Sequence, residues 1–418
     1  MKNELNCLVV SRFRPDVLNG GAAIRNGQNI FGLSRLGRVD VLTIGLREVA
    51  KSAPFVESWE NIPLNPTTRS RNLLNLITLN HKIFFSGYYP ALAYYNSSDV
   101  IDWIGERKKN GKIYDVIVVE EISLTAYLPL LKSIGKKVIF DDHNVEAILR
   151  SETSNVNSEK GFVRGLFTAI KNRALDKNLI AAEQKAVSIS DAIWCCSDLD
   201  KDALSVNYGA NNDIYIVPNA IELKRYAGDN QRLEDEDWSS EPLNVVYMGS
   251  YSYLPNSHAA MELIYEIFPI ILKLIKSAKL YLVGRDPTHE MLLAAKQSDN
   301  IVVTGAVESV QPYLDMPSVM AMPIRYGSGT RLKILESFAA RRPIVTTKKG
   351  AEGIGAKDFK NILIRETPNE IAEATFLVWK DQKLRSELCE NAYRLVSEYY
   401  SWEVAAGYIE KSVSRLLA

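Results

Sequence analysis

The chain has 418 residues, 46% of them hydrophobic and 24% charged, a globular composition over a length that needs two or three cores. Its 50 basic residues match its 50 acidic ones, which leaves no net charge to draw nucleic acid, and no apolar run reaches the ~18 residues of a membrane span. It opens straight into a strand-like run with no apolar leader, and its four cysteines (Cys7, Cys195, Cys196, Cys389) form no CxxC pair, so the expectation is a cytoplasmic chain with buried, reduced thiols.

Short Val/Ile-rich runs alternate with longer amphipathic stretches, the pattern of βαβ units and parallel sheets. In the first half the predicted strands are "NCLVVSRF", "VDVLTIG", "YDVIVVEE", "KKVIFDDH", "AIWCCS" and "DIYIVP". Gly20 and Gly21 stand between the first strand and a predicted helix, where backbone approaches a ligand in doubly wound domains. Residues 69–95 form an apolar and aromatic region with scattered cations, and His143 falls at the carboxyl end of the fourth strand. Residues 162–186 read as a long helix or helix pair. From Lys160 to Lys185 there are six basic residues against two acidic, an excess that suits a membrane surface as well as it suits plain packing.

The acidic, aperiodic "YAGDNQRLEDEDWSSEP" (226–242) reads as a linker or surface loop. After it come the predicted strands "LNVVYMGS", "AKLYLVG", "NIVVTG", "VMAMPI", "PIVTT" and "NILIR". Two such series imply two doubly wound domains, each with its ligand expected where loops leave the carboxyl ends of the strands. Two D-x-D matches, at Asp198–Asp200 and Asp235–Asp237, read as solvated polar residues rather than cation ligands.

The stretch "MPIRYGSGTRLKILESFAARRPIV" (322–345) carries the densest chemistry. A strand leaves through Gly327–Thr330 into a helix on which Leu332, Leu335, Phe338 and Ala339 recur at helical spacing. Such a junction offers unpaired backbone N–H groups and the positive end of a helix dipole, which suits an anion. Arg331 and Lys333 add cations in the first turn, where they oppose the dipole unless something negative sits nearby. Glu336 shares a face with Lys333 at i,i+3 spacing, and two readings follow: a surface ion pair, or a carboxylate for a hydroxyl-bearing group beside a diphosphate. The third glycine of a dinucleotide fingerprint is absent, because Leu332 takes its place, and neither GxxxxGK[ST] nor HExxH occurs.

Taken in order, "NGGAAIR", "DDHNVE", "IVPNAIE", "YMGSYSYLPN", "YLVGRDP", "VVTGAVESVQPYL", "PIRYGSGTRLKILES", "RPIVTTKKGAEGI" and "YSWEVAA" resemble a retaining GT-B glycosyltransferase of the family 4 type, as found in bacterial surface-polysaccharide assembly. The resemblance implies two Rossmann-like domains facing a central cleft, an acceptor-binding one over 1–220 and a nucleotide-sugar-binding one over 221–400, with a helix at 401–418 crossing back to the first. It implies a nucleoside diphosphate sugar as donor, a glycan or polyprenyl-linked acceptor, peripheral contact with the inner membrane, and no cofactor or metal.

By the same resemblance Glu336 matches the second glutamate of the E-x7-E motif, which binds the donor ribose, while Ser328 stands where the first glutamate is expected. Gly249, Ser250 and Asn256 occupy positions where many members carry an Arg and a Lys on the diphosphate. Arg331 and Lys333, with Arg285, are the substitutes, and Gly329 and Thr330 supply backbone donors. Val307 matches the nucleobase segment, Gly20 and Gly21 the loop over the donor phosphates, and His143 the histidine near the reacting sugar. Arg25, Asn144 and Glu146 fall on the acceptor side. The rival expectations are a GT-B sugar-nucleotide epimerase and a non-catalytic partner subunit, the latter suggested by Ser328 and the missing Arg/Lys pair.

Overall fold

The structure, a computed structural model, describes residues 4–18, 20–47, 50, 52–64, 92, 95–143, 145, 177–209, 213–226, 237–238, 241–327 and 330–418. The chain divides into two compact units. The first comprises Met1–Leu18, Ala22–Asn219 and Ala405–Ala418, and the second Asn19–Gly21 and Ala220–Val404.

The first unit is built on a seven-stranded sheet of β1 (Leu5–Ser11), β2 (Gly37–Ile44), β3 (Ser58–Ile62), β4 (Tyr114–Glu120), β5 (Gly135–Asp141), β6 (Ala192–Cys195) and β7 (Asp213–Ile216), in the order β3-β2-β1-β4-β5-β6-β7. Every pairing is parallel. The order reverses between β1 and β4, which is the switch point where doubly wound sheets bind ligands. Successive side chains go to opposite faces. Val116, Val118 and Ile139 pack with Ile30 and Leu33 of the first helix (Gly21–Ser34) and with Ile409, Val413 and Leu416 of the last (Trp402–Leu417). Ile117, Val119, Val138 and Phe140 take the other face.

The second unit has a six-stranded sheet of β8 (Asn244–Met248), β9 (Lys279–Val283), β10 (Ile301–Gly305), β11 (Val319–Met322), β12 (Ile344–Thr346) and β13 (Leu363–Ile364), in the order β10-β9-β8-β11-β12-β13 and again all parallel. Its reversal lies between β8 and β11, so the loops after β8, β9, β10 and β11 leave the same sheet edge.

All twelve predicted strands are present, and among the described residues β3 is the strand that the sequence did not predict. Its "SWENI" pairs only with β2 at the sheet edge and is half-exposed along its length, so it lacks the continuous apolar run of a strand buried on both faces. Two loop readings are corrected. In the acidic 226–242 segment, Trp238 is 1% exposed and lies beneath the Arg385 guanidinium, 4.0 Å from its ring centroid, so this part of the segment is packed rather than solvated. Asp200 is likewise buried, receiving the Ser197 hydroxyl at 2.7 Å in the first turn of the Asp198–Tyr208 helix, where a carboxylate answers the helix dipole. All four cysteines are buried and unbridged. Among the described residues no helix is long and apolar enough to cross a membrane.

Candidate functional sites

In the second unit the carboxyl ends of β8, β9 and β11 bring together residues far apart in sequence. The turn after β11 holds Gly327 at φ +106°, in the left-handed region, and leads through Thr330 to Arg331 at the cap of the Leu332–Ala339 helix. The Arg331 guanidinium donates back to the Gly327 carbonyl. One residue into the helix, the half-buried Lys333 points its Nζ at Asn256 Oδ1 (2.6 Å) and at the Tyr247 hydroxyl (3.1 Å), 4.5 Å from the centroid of the Tyr247 ring. Asn256 is itself pinned by its Nδ2, which donates to the Ser250 carbonyl at 2.9 Å.

Among the described residues Lys333 thus has no carboxylate partner. Burial, and the Arg331 charge beside it, push its ammonium down to about 7. Gly249 is part of the same cluster, for a Cβ there would come within 2.7 Å of Asn256 Nδ2 and 3.1 Å of Lys333 Nζ. Arg285 is exposed and reaches Ser250 Oγ at 3.3 Å.

Glu336 does not pair with Lys333. Its Oε1 accepts the Tyr226 hydroxyl at 2.8 Å, and burial raises its carboxyl above the usual range against that bond and the Arg225 and Lys333 charges. The surface ion-pair reading is therefore wrong. The cluster gathers two cations with fixed amide and hydroxyl groups and a carboxyl one turn beyond, which suits an anion joined to a hydroxyl-bearing group. Val307 follows the edge strand β10, half-buried. Ser328 and Gly329 lie outside the described residues.

In the first unit the carboxyl ends of β4 and β5 carry a second cluster. Glu120 and Asp141 are direct register partners and share the face lined by Val116, Val118 and Ile139, so both carboxylates project toward the first helix. There Arg25 and Asn29, one turn apart, meet them. Arg25 is bidentate on Asp141 (2.8 and 2.5 Å) and spends Nη1 on the Val217 carbonyl and Asn219 Oδ1, both at 2.9 Å. Asn29 Nδ2 donates to Glu120 Oε1 (2.9 Å) and Asp141 Oδ2 (2.8 Å).

His143, two residues beyond β5, places Nε2 at 2.7 Å from Glu120 Oε2 and 3.1 Å from Asp141 Oδ2. Burial alone would lower its imidazole, but the hydrogen bonds and charges of Asp141 and Glu120 outweigh this and hold it up at about 9. Asp141 is subject to the same opposition. Burial raises it, yet the Arg25 charge and the His143 contact leave it well below the ordinary carboxylate range.

Arg25, expected on the acceptor side, is instead 1% exposed and wholly committed to this cluster. Asn144 and Glu146 lie outside the described residues. Gly20 has φ +100°, and Gly21 begins the first helix. Among the described residues the set whose ligand atoms converge is Glu120, Asp141 and His143, within 4.8 Å of one another. At 2.7 Å, however, Nε2 and Glu120 share a proton with no space for an ion, and Arg25 and Asn29 already donate to Asp141. The sequence reading missed Glu120, Asp141 and Asn29. The period-2 alternation of β4 and β5 was the signal that would have placed both carboxylates on the helix side.

Residues 242–381 match the family profile described as glycosyl transferases group 1. An uncharacterized 44.6 kDa protein of the cps region of Klebsiella pneumoniae is 22% identical over 164 residues, a match that spans 38% of this chain and only 42% of that relative. Among solved structures, sucrose-phosphate synthase of Thermosynechococcus elongatus superposes with a TM-score of 0.70 at 17% identity, covering 98% of this chain and 99% of its own. HepE of Anabaena, in complex with UDP-glucose, gives 0.63 at 11% identity over 98% and 100%. A TarM variant of S. aureus, in complex with fondaparinux, alpha-GlcNAc-glycerol and UDP, gives 0.63 at 12% over 99% and 100%. The chain therefore has the GT-B fold, and its residues 242–381 match the glycosyl transferases group 1 profile.

Proposed function

We propose that the chain is a glycosyltransferase that moves a sugar, with retention of configuration, from a nucleoside diphosphate sugar to a glycan or lipid-linked glycan in surface-polysaccharide assembly. The observation that carries the reading is Lys333, a half-buried ammonium without a carboxylate partner among the described residues, beside Arg331 and inside the segment that matches glycosyl transferases group 1. A diphosphate supplies the missing anion. Its arrival favours the charged form of Lys333, and as the glycosidic bond breaks, the negative charge growing on it is met by Lys333, Arg331 and backbone donors of the turn. Each well-aimed donor of this kind contributes ~3–4 kcal/mol to lowering such a barrier. Glu336, anchored by Tyr226, is positioned for ribose hydroxyls. HepE binds UDP-glucose and TarM binds UDP and a sugar-bearing ligand, which favours a nucleotide sugar here, and the cps-region relative favours a capsule-type product.

A thermal-shift screen against UDP-, GDP- and dTDP-sugars tests the reading, since a ligand that binds only the native state raises the melting temperature by mass action. One donor is expected to stabilise the protein and to be slowly hydrolysed without acceptor, with hydrolysis abolished by Arg331→Ala and by Glu336→Ala. EDTA should leave turnover unchanged, because cationic side chains take the place of a divalent ion. No shift with any donor would sink the proposal and leave the partner-subunit reading. Of the segments expected to touch a membrane, 69–95 and 160–185, all but residues 92, 95 and 177–185 lie outside the described residues. Partition onto anionic liposomes that is lost at high salt would support their role, and no partition at low salt would remove it.

A further inference from the structure

The cluster in the first unit has a charge balance that constrains what His143 can do. Glu120 and Asp141 are both fully buried, and two buried carboxylates side by side need two positive partners. Arg25 supplies one, spent on both oxygens of Asp141. The group among the described residues that reaches Glu120 with a titratable nitrogen is His143, and Asn29, which also reaches it, is neutral. Among the described residues the Phe13 ring stacks on the imidazole at 6.5 Å, Asp142 is next in the chain, and the Cys196 thiol donates to the His143 backbone carbonyl at 3.3 Å.

We propose that Glu120 and Asp141 are positioning residues that fix His143 as an imidazolium, with Nε2–H held inward between the two carboxylates and Nδ1–H presented as a permanent hydrogen-bond donor to a substrate oxygen. His143 has no other hydrogen-bond partner for Nδ1 among the described residues. An imidazolium fixed in this way cannot accept a proton from an attacking hydroxyl, so the geometry excludes a general-base role for His143 and assigns it an electrostatic one. The glycosyl-transfer reading enters only in naming that oxygen as one on the donor or acceptor sugar.

The test uses the full chain labelled with 15N. Long-range 1H–15N correlation spectra of its four histidines are followed across pH, with His143 assigned from His143→Gln. Both His143 nitrogens are expected to stay protonated at pH 7.5, and Glu120→Gln is expected to lower the titration midpoint by about one unit or more, since an opposite charge in contact shifts a group that far. A neutral His143 at pH 7.5 in the wild type overturns the proposal, and so does a midpoint that Glu120→Gln leaves in place. Should Glu120→Gln misfold by circular dichroism, the wild-type titration alone decides. With a turned-over donor in hand, Glu120→Gln should also move the alkaline limb of kcat to lower pH while donor KM holds, a split that general loss of structure does not produce. If no donor is turned over, the glycosyl-transfer reading fails on its own, and the spectra still decide the clamp.

Discussion

Gly249 and Gly284 sit side by side at the ends of β8 and β9, and a methyl group meets different resistance at each. At Gly284, φ is +144° and an added Cβ would lie 1.8 Å from the Gly249 carbonyl oxygen, which is backbone and cannot yield. Gly284→Ala should therefore cost more than ~1 kcal/mol, seen as a lower urea midpoint. At Gly249 the obstructing atoms are the tips of Asn256 and Lys333. Gly249→Ala should leave the unfolding free energy from urea titration within about 1 kcal/mol of the wild type yet shrink the donor-induced thermal shift, because the ammonium is displaced. An unchanged shift would remove Lys333 from the binding surface. At this scale the sequence was informative about position and misleading about pairing. Glu336 and Lys333 are three apart on one helix, which made an ion pair the natural inference, but Tyr226 and Asn256, 110 and 77 residues away, claimed them instead. Partners at that separation are set by topology, which no local spacing encodes.

Secondary elements were far more legible. Strands buried on both faces read as unbroken apolar runs, and in β4 the run "VIVV" leads straight into Glu120 and Glu121. The same period-2 rule separates β4 into Val118 and Glu120 facing the helices and Val119 facing the other core. The Trp402–Leu417 helix extends this logic, since its Ile409, Val413 and Leu416 complete the face shared by Ile30 and Leu33. Gly32 admits the helix closely, for a Cβ there would come 2.4 Å from Ile409 Cδ1. Ile409→Ala should cost about 2–5 kcal/mol, read from urea unfolding of the intact chain. A change below ~1 kcal/mol would mean that this helix packs less tightly than its burial implies.

Across the whole molecule the buried cluster of the first unit predicts a lopsided pH profile. His143, held at about 9, is raised above its unfolded value near ~6.5, so its stabilising contribution is complete below ~6.5 and is lost as pH climbs through about 9. Burial and the Asp141 charge raise Glu120 too, so its contribution begins to fall as pH climbs above its unfolded value near ~4.5. Asp141 is depressed, and its contribution is present above ~4 and lost as pH falls through its lower folded value. Thermal melts should therefore peak on the mildly acid side of neutrality and decline toward pH 9 and above, with the decline flattened in His143→Gln. A melt profile level from pH 6 to pH 10 would contradict the cluster's charge assignment.

The last helix also makes the chain's order of synthesis matter. Ala405–Ala418 belongs to the first unit, yet all of Ala220–Val404 is translated before it. At ~5–20 residues per second the face that Ile409, Val413 and Leu416 will cover stays uncovered on the ribosome for ~10–40 s after β7 has emerged. The first unit thus begins to fold before the second and is completed after it. A nascent chain stalled after Val404 should keep its first unit open to protease although every strand of both sheets is already made, and release of the full-length chain should close it.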